Sequence, residues 1–196
     1  MKGPAGFDIA NRRARIYGTG EAKLCWTPLP MMAFGVANML RWYGDGGGDG
    51  GDESRFINKG ILVSGVRGLS QNAILAALED IYSSRTSSSG SAPNGSSSDD
   101  KRDKVFEVTQ VDVAKINAHA RTALARGETG KAMKGLTISA QFYEGDQGGD
   151  FSALCDNDAV GVQTVSVETA VRDAIAAYGE DCAIVEGMFY VEPCEI

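Results

Sequence analysis

The chain has 196 residues, a formal charge of −7 and 43% hydrophobic residues, enough for a real core and for one domain or one and a half. An acidic chain with scattered Lys and Arg repels phosphate backbones and anionic lipid, which excludes nucleic acid as a direct partner. No apolar run approaches the roughly 20 residues that span a bilayer, and no apolar core follows Met1 to Pro4 as a signal peptide would require, so the expectation is a soluble, cytoplasmic protein without a membrane partner.

Residues 14 to 26, "ARIYGTGEAKLCW", read as two short strands around the glycine loop Gly18, Thr19, Gly20. Thr27 is placed to cap a helix with Pro28 at its first position, where a missing N–H costs nothing. That helix runs through "LPMMAFGVANMLRW", with Met32, Val36, Met39 and Leu40 as its core-facing stripe. Residues 43 to 55, "YGDGGGDGGDESR", carry Asp45, Asp49 and Asp52. The alternate oxygen ligands and closing glutamate of a calcium loop are missing, so the tract reads as a flexible acidic loop.

The stretch 61 to 82, "ILVSGVRGLSQNAILAALEDIY", is an apolar strand, a glycine turn and a helix, with Ile74, Leu75, Leu78 and Ile81 at helical spacing. A dinucleotide loop uses three glycines there: for the tight turn, for approach of the pyrophosphate, and for packing of the helix on the strand. This chain has Gly65, Gly68 and then Gln71. No strand ending in an acidic residue follows about 20 residues later to hold the ribose, so the unit reads as ordinary strand-turn-helix packing.

Residues 83 to 103, "SSRTSSSGSAPNGSSSDDKRD", cannot bury apolar surface and read as a disordered insertion. Beyond them "KVFEVTQVD" alternates like a strand, Asp112 caps a helix over 113 to 126, and Gly127 closes it. Residues 129 to 144 suggest another helix. Ser166 caps the last one, "VETAVRDAIAAY", which Gly179 terminates. The order is α/β, with too few strands for a complete doubly wound sheet.

Cys25, Cys155, Cys182 and Cys194 form no CxxC pair, so spacing signals neither a zinc site nor a redox motif, and free thiols are expected. His119 has no second histidine with which to share a metal and nothing nearby to complete a nucleophile-histidine arrangement. No catalytic, cofactor-binding or metal-ligating residue is assigned.

The order of motifs, "GFDIANRRARIYGTGEAKLCWTPL", "GVANML", "FINKGILVSGVRGLSQNAILAALED", "FEVTQVDV" and "DFSALCDNDAVGVQTVSVETAVRDAI", resembles the C-terminal portion of the NmrA-like, isoflavone-reductase-like family of NAD(P)-binding proteins, particularly its fungal members. It covers most of residues 6 to 179 apart from the two low-complexity inserts. Ser70-Gln71-Asn72-Ala73-Ile74-Leu75 looks like the family's Thr/Ser-Gln-Asn-Glu-Ile-Leu helix start, with Ala73 where glutamate is common. Near Pro30 to Met32 the family's acidic residue and Ile-Gly are absent.

The resemblance implies a partial NAD(P)-binding Rossmann-type fold, mainly the C-terminal substrate-side helices with a few strands. Residues 1–82 would form a hairpin, helix and strand-helix unit, 83–103 the insertion and 104–196 the C-terminal helical region. Full-length relatives use NADP or NAD and a small aromatic or apolar substrate, but their cofactor loop and catalytic lysine lie before the point where this chain begins. The chain by itself is therefore expected to hold no cofactor. Three readings follow: a reductase fragment inactive alone, a non-catalytic redox-sensing regulatory protein of the NmrA type, or a truncated gene product without function. Phe7, Phe142, Tyr143 and Phe151 are the candidate substrate-pocket residues, and self-association is expected through an exposed sheet edge.

Overall fold

The computed structural model describes residues 6–44, 55–87, 105–142 and 149–180. Among them the chain is a mixed α/β structure with six α-helices and one three-stranded sheet. Strand β1 (Phe7–Asp8) pairs antiparallel with β2 (Arg13–Tyr17), Phe7 lying opposite Ala14. Strand β3 (Glu107–Val111) runs parallel to β2 on its other side, with Arg13 opposite Glu107 and Tyr17 opposite Val111. The "RARIY" of β2 buries Ala14 and Ile16 and sends Arg13 and Arg15 outward, the two-residue period of a strand with one face on the core.

The hairpin therefore lies one element earlier than the sequence suggests. The turn joining its strands is residues 9–12, where Arg12 takes a left-handed φ of 54°. Gly18 to Gly20 ends β2 instead: the Gly18 N–H donates to the Val111 carbonyl and the Gly20 N–H to that of Tyr17. A Cβ on Gly20 would lie 2.4 Å from the Asn72 side chain, so this turn is docked on the start of a helix and the chain leaves the sheet. Leu24 then bridges Leu69 rather than β2.

The helices are α1 (Leu29–Gly44), α2 (Gln71–Ser87), α3 (Val113–Ala125), α4 (Thr129–Phe142), α5 (Asn157–Val160) and α6 (Val167–Tyr178). Their caps are mostly those the sequence announces. The Asp112 carboxylate accepts from the Lys115 N–H, the Ser166 hydroxyl from Thr169 and the Ser70 hydroxyl from Ala73, while Gly127 and Gly179 take positive φ at the C-terminal ends of α3 and α6. Helices α3 and α4 form a close antiparallel pair, because a Cβ on Gly135 would sit 2.7 Å from that of Ala120. The main core joins the sheet to α2, α3, α4 and α6 through residues such as Phe7, Ile16, Leu78, Phe106, Ile116 and Phe142.

Thr27 does not cap α1. Its hydroxyl donates to the Val63 carbonyl at 2.7 Å and accepts the Gly65 N–H at 3.2 Å, fastening α1 to the following segment. The expected stripe of α1 also faces the wrong way: Met32, Val36 and Leu40 are 50%, 51% and 66% exposed, and only Met39 turns inward. The buried position is Gly35, whose absent side chain lets α1 approach Val160 and Val162, while Asn38 donates to the Val160 carbonyl at 2.9 Å. Apolar residues surround most of α1, so periodicity could not single out the face that a glycine and an asparagine decide.

Residues 61–65, expected as a strand, form none, and Val66 makes only an isolated parallel bridge with Val165. Their backbone is satisfied by loops: Asp156 N–H donates to Leu62 O, Gly65 N–H to Trp26 O, Val165 N–H to Gly65 O and Arg67 N–H to Val165 O. Helix α2 continues to Ser87, into the start of the expected insertion, and the remainder of that insertion lies outside the described residues. So do Asp45, Asp49, Asp52, Tyr143, Cys182 and Cys194. Among the described residues no helix is long and apolar enough to cross a membrane.

Candidate functional site

Three segments that end elements of the fold line a half-open cavity of about 290 Å³, near the ~300 Å³ lower end of small-molecule sites. Lys23, Leu24 and Cys25 come from the chain between β2 and α1. Ser64, Val66, Arg67, Gly68 and Leu69 come from the segment before α2. Asp150, Ser152, Cys155, Asn157 and Thr164 come from the loops around α5. Leu24, Val66 and Leu69 supply apolar wall, of which Val66 and Leu69 are buried in the core with Leu24, and the remaining residues are mostly polar or charged.

Cross-links between the segments hold this shape. Asn157 accepts the Ser64 N–H at 3.0 Å and donates to the Ser64 carbonyl at 2.7 Å, so one side chain reads both backbone groups of one residue. Arg67 reaches the Thr164 hydroxyl at 3.1 Å, and the Cys25 N–H donates to Gly149 O at 2.8 Å. Asp150 is held below the ordinary carboxylate range by hydrogen bonds from the Ser152 hydroxyl and N–H, with the Cys25 thiol and Lys23 adding to the effect against a small desolvation penalty.

The Cys25 thiol lies 3.6 Å from Asp150 Oδ1, and the Cys155 thiol 3.5 Å from the Phe151 carbonyl. Burial pushes the Cys155 thiol above its ordinary value; the neighbouring Cys25 and Asp156 push the same way, and a Ser64 backbone contact opposes them. Sequence spacing gave no signal for this pair, nor for Lys23 and Arg67, because the partners come from opposite ends of the chain.

Of the pocket candidates, Phe7 and Phe142 are core residues, 1% and 0% exposed, and Phe142 stacks on Tyr17 with ring centroids 4.8 Å apart. Neither lines the cavity. Phe151 is half-buried in the loop that carries Asp150; its carbonyl accepts from the Cys155 thiol, but it does not line the cavity. His119 lies exposed on α3, away from the cavity lining. Among the described residues no group of three or more His, Cys, Asp or Glu could hold a metal ion.

The turn from Gly65 to Gln71 does not fit a dinucleotide. Gln71 is fully buried, accepting the Tyr17 N–H and donating to the Arg15 carbonyl. Gly65 is a glycine for a different reason, since a Cβ there would meet Pro28 Cδ at 2.7 Å and Met31 Sδ at 2.8 Å. Both positions serve packing within the chain, and no hydride-transfer step can be derived through them. No protein-family model, curated protein or solved structure matches the chain.

Proposed function

We propose that the chain is the substrate-side portion of an NmrA-like, isoflavone-reductase-like NAD(P)-dependent oxidoreductase, a partial Rossmann-type fold that is inactive alone. The observation that carries this reading is the cavity, with apolar walls from Leu24, Val66 and Leu69 under polar groups from three separate loops. Such a lining suits a small aromatic or apolar substrate fixed by a few directed hydrogen bonds. In the assembled enzyme the dinucleotide would supply hydride; this chain's residues would hold the acceptor and exclude water. The edge of β3 away from β2 is unpaired among the described residues, which supports self-association or addition of further strands there.

The test is calorimetric titration of the full chain with a series of small aryl enones, and separately with NADPH and NADH. Saturable binding of an enone, weakened when Thr164→Trp fills the cavity, is the expected result. Absence of any enone binding by a chain shown to be folded would overturn the substrate-side reading. Stoichiometric NADPH binding at micromolar affinity would overturn the expectation that the chain by itself holds no dinucleotide. The alternative, a non-catalytic redox-sensing regulatory protein of the NmrA type, is favoured by one observation: two thiols share the cavity.

A further inference from the structure

We propose that Cys25 and Cys155 are a redox site, closing reversibly to a disulfide across the cavity when the protein meets hydrogen peroxide or an organic hydroperoxide. The inference deepens the redox-sensing reading, but it stands on geometry that would remain if that reading failed. Both thiols line one cavity, and both are half-buried rather than sealed in the core. One short loop anchors the two of them. The Cys25 backbone is tied to Gly149, its thiol to Asp150, and the Cys155 thiol to Phe151.

The sulfur contacts, at 3.6 and 3.5 Å, are made by thiols, which are weak donors, so little is lost when both side chains turn toward each other. The charged groups at the site are Lys23, Arg67 and Asp150 in the lining, with Asp156 beside Cys155. In the first step a thiol sulfur attacks the peroxide oxygen, the O–O bond breaks, and a sulfenic acid forms while the other oxygen leaves as water from hydrogen peroxide or as the alcohol from an organic hydroperoxide. The second thiol then attacks that sulfur, the S–O bond breaks, and the displaced oxygen leaves as water. Two thiols have lost two electrons, which one peroxide has accepted. Both thiols line the same cavity, so either can take the first step and the other then resolves it.

The experiment is a non-reducing peptide map by mass spectrometry of the full chain before and after graded hydrogen peroxide, repeated on the Cys182→Ser/Cys194→Ser double variant. The expected result is one cross-linked peptide pair containing Cys25 and Cys155 in both proteins, two hydrogens lighter than the reduced pair and restored by dithiothreitol. In Cys155→Ser or Cys25→Ser a sulfenic acid should accumulate on the cysteine of the pair that remains, detectable with a dimedone-type probe. Sulfinic acid on either cysteine without a cross-link, or cross-links confined to Cys182 or Cys194, would overturn the proposal. The wild-type map needs no variant to fold. A confirmed disulfide combined with no effect on any partner's binding would remove only the regulatory reading.

Discussion

The buried carboxamide of Gln71 takes the Tyr17 N–H at 2.8 Å and returns a hydrogen bond to the Arg15 carbonyl at 3.0 Å. Strand β1 reaches only as far as Arg13 and Ala14 of β2, so this side chain continues the edge where the strand has stopped. A buried donor left unpaired costs about 1–3 kcal/mol. Gln71→Gly, which would restore the third glycine of a dinucleotide fingerprint, should therefore destabilise the chain by at least that amount, and Gln71→Leu by a similar amount. Urea unfolding checks both; an unchanged midpoint in either would show that water replaces the side chain.

The two faces of α1 make a second comparison. A side chain at Gly35 must enter the contact with Val162 Cγ2, 3.2 Å from an ideal Cβ, so Gly35→Leu should cost roughly 1–3 kcal/mol through overpacking. Leu40→Gln, on a residue 66% exposed, should change stability by no more than about 0.5 kcal/mol. The reverse ranking in thermal melts would restore the stripe that the sequence suggested.

Arg12 links three elements. Its guanidinium stacks 3.7 Å from the Tyr82 ring centroid and pairs with Glu180 at 3.2 Å, and Tyr82 meets Phe106 edge to face. Removing it by Arg12→Ala loses the stacking and the pair together, for an expected loss of about 1–2 kcal/mol, whereas Arg12→Lys should recover only part of it because an ammonium cannot stack as a plane. Equal stability of the wild-type chain and the Lys variant would show that the guanidinium face contributes nothing.

Alkaline pH gives a directional test. Burial raises the Tyr17 phenol above its ordinary value of 10.0, partly offset by Arg15; burial and Glu180 raise that of Tyr82, partly offset by Arg12. For a group whose folded value is raised, the stabilisation is complete below the unfolded value and is lost as pH climbs through the folded one. Stability should thus hold up to about pH 10 and fall beyond it. Ultraviolet tyrosinate titration of the folded chain should show a late-titrating fraction that joins the main transition in denaturant. A single transition under both conditions would count against the raised values.

If the thiols close as proposed, the oxidised chain gains a cross-link over a loop of the order of 100 residues, worth typically about 2–4 kcal/mol. For a domain of this size each kcal/mol moves the melting temperature by roughly 2–4 °C. Scanning calorimetry of the peroxide-treated chain should show a rise of several degrees that dithiothreitol abolishes, and no rise in Cys25→Ser. A lower melting temperature on oxidation would mean that closing the cavity strains the loop around Asp150.

Helix α2 and the two capped helices α3 and α6 were legible in the sequence, because Ser70, Asp112, Ser166, Gly127 and Gly179 act on neighbours a few residues away and apolar spacing repeats within each helix. The strand ending at Val111 was legible for the same local reason. What only the tertiary structure decided is set by contacts between distant segments. Gly20 meets Asn72, so the chain leaves the sheet; Gly35 meets Val162, so α1 turns its apolar stripe outward; Gln71 meets Tyr17, so a fingerprint position becomes part of the sheet's edge. Cys25 and Asp150 stand 125 positions apart, and no spacing rule operates over that distance. Local propensity acts through the backbone of one turn or strand, whereas a cavity forms only after several elements have packed, and its lining is chosen by that packing.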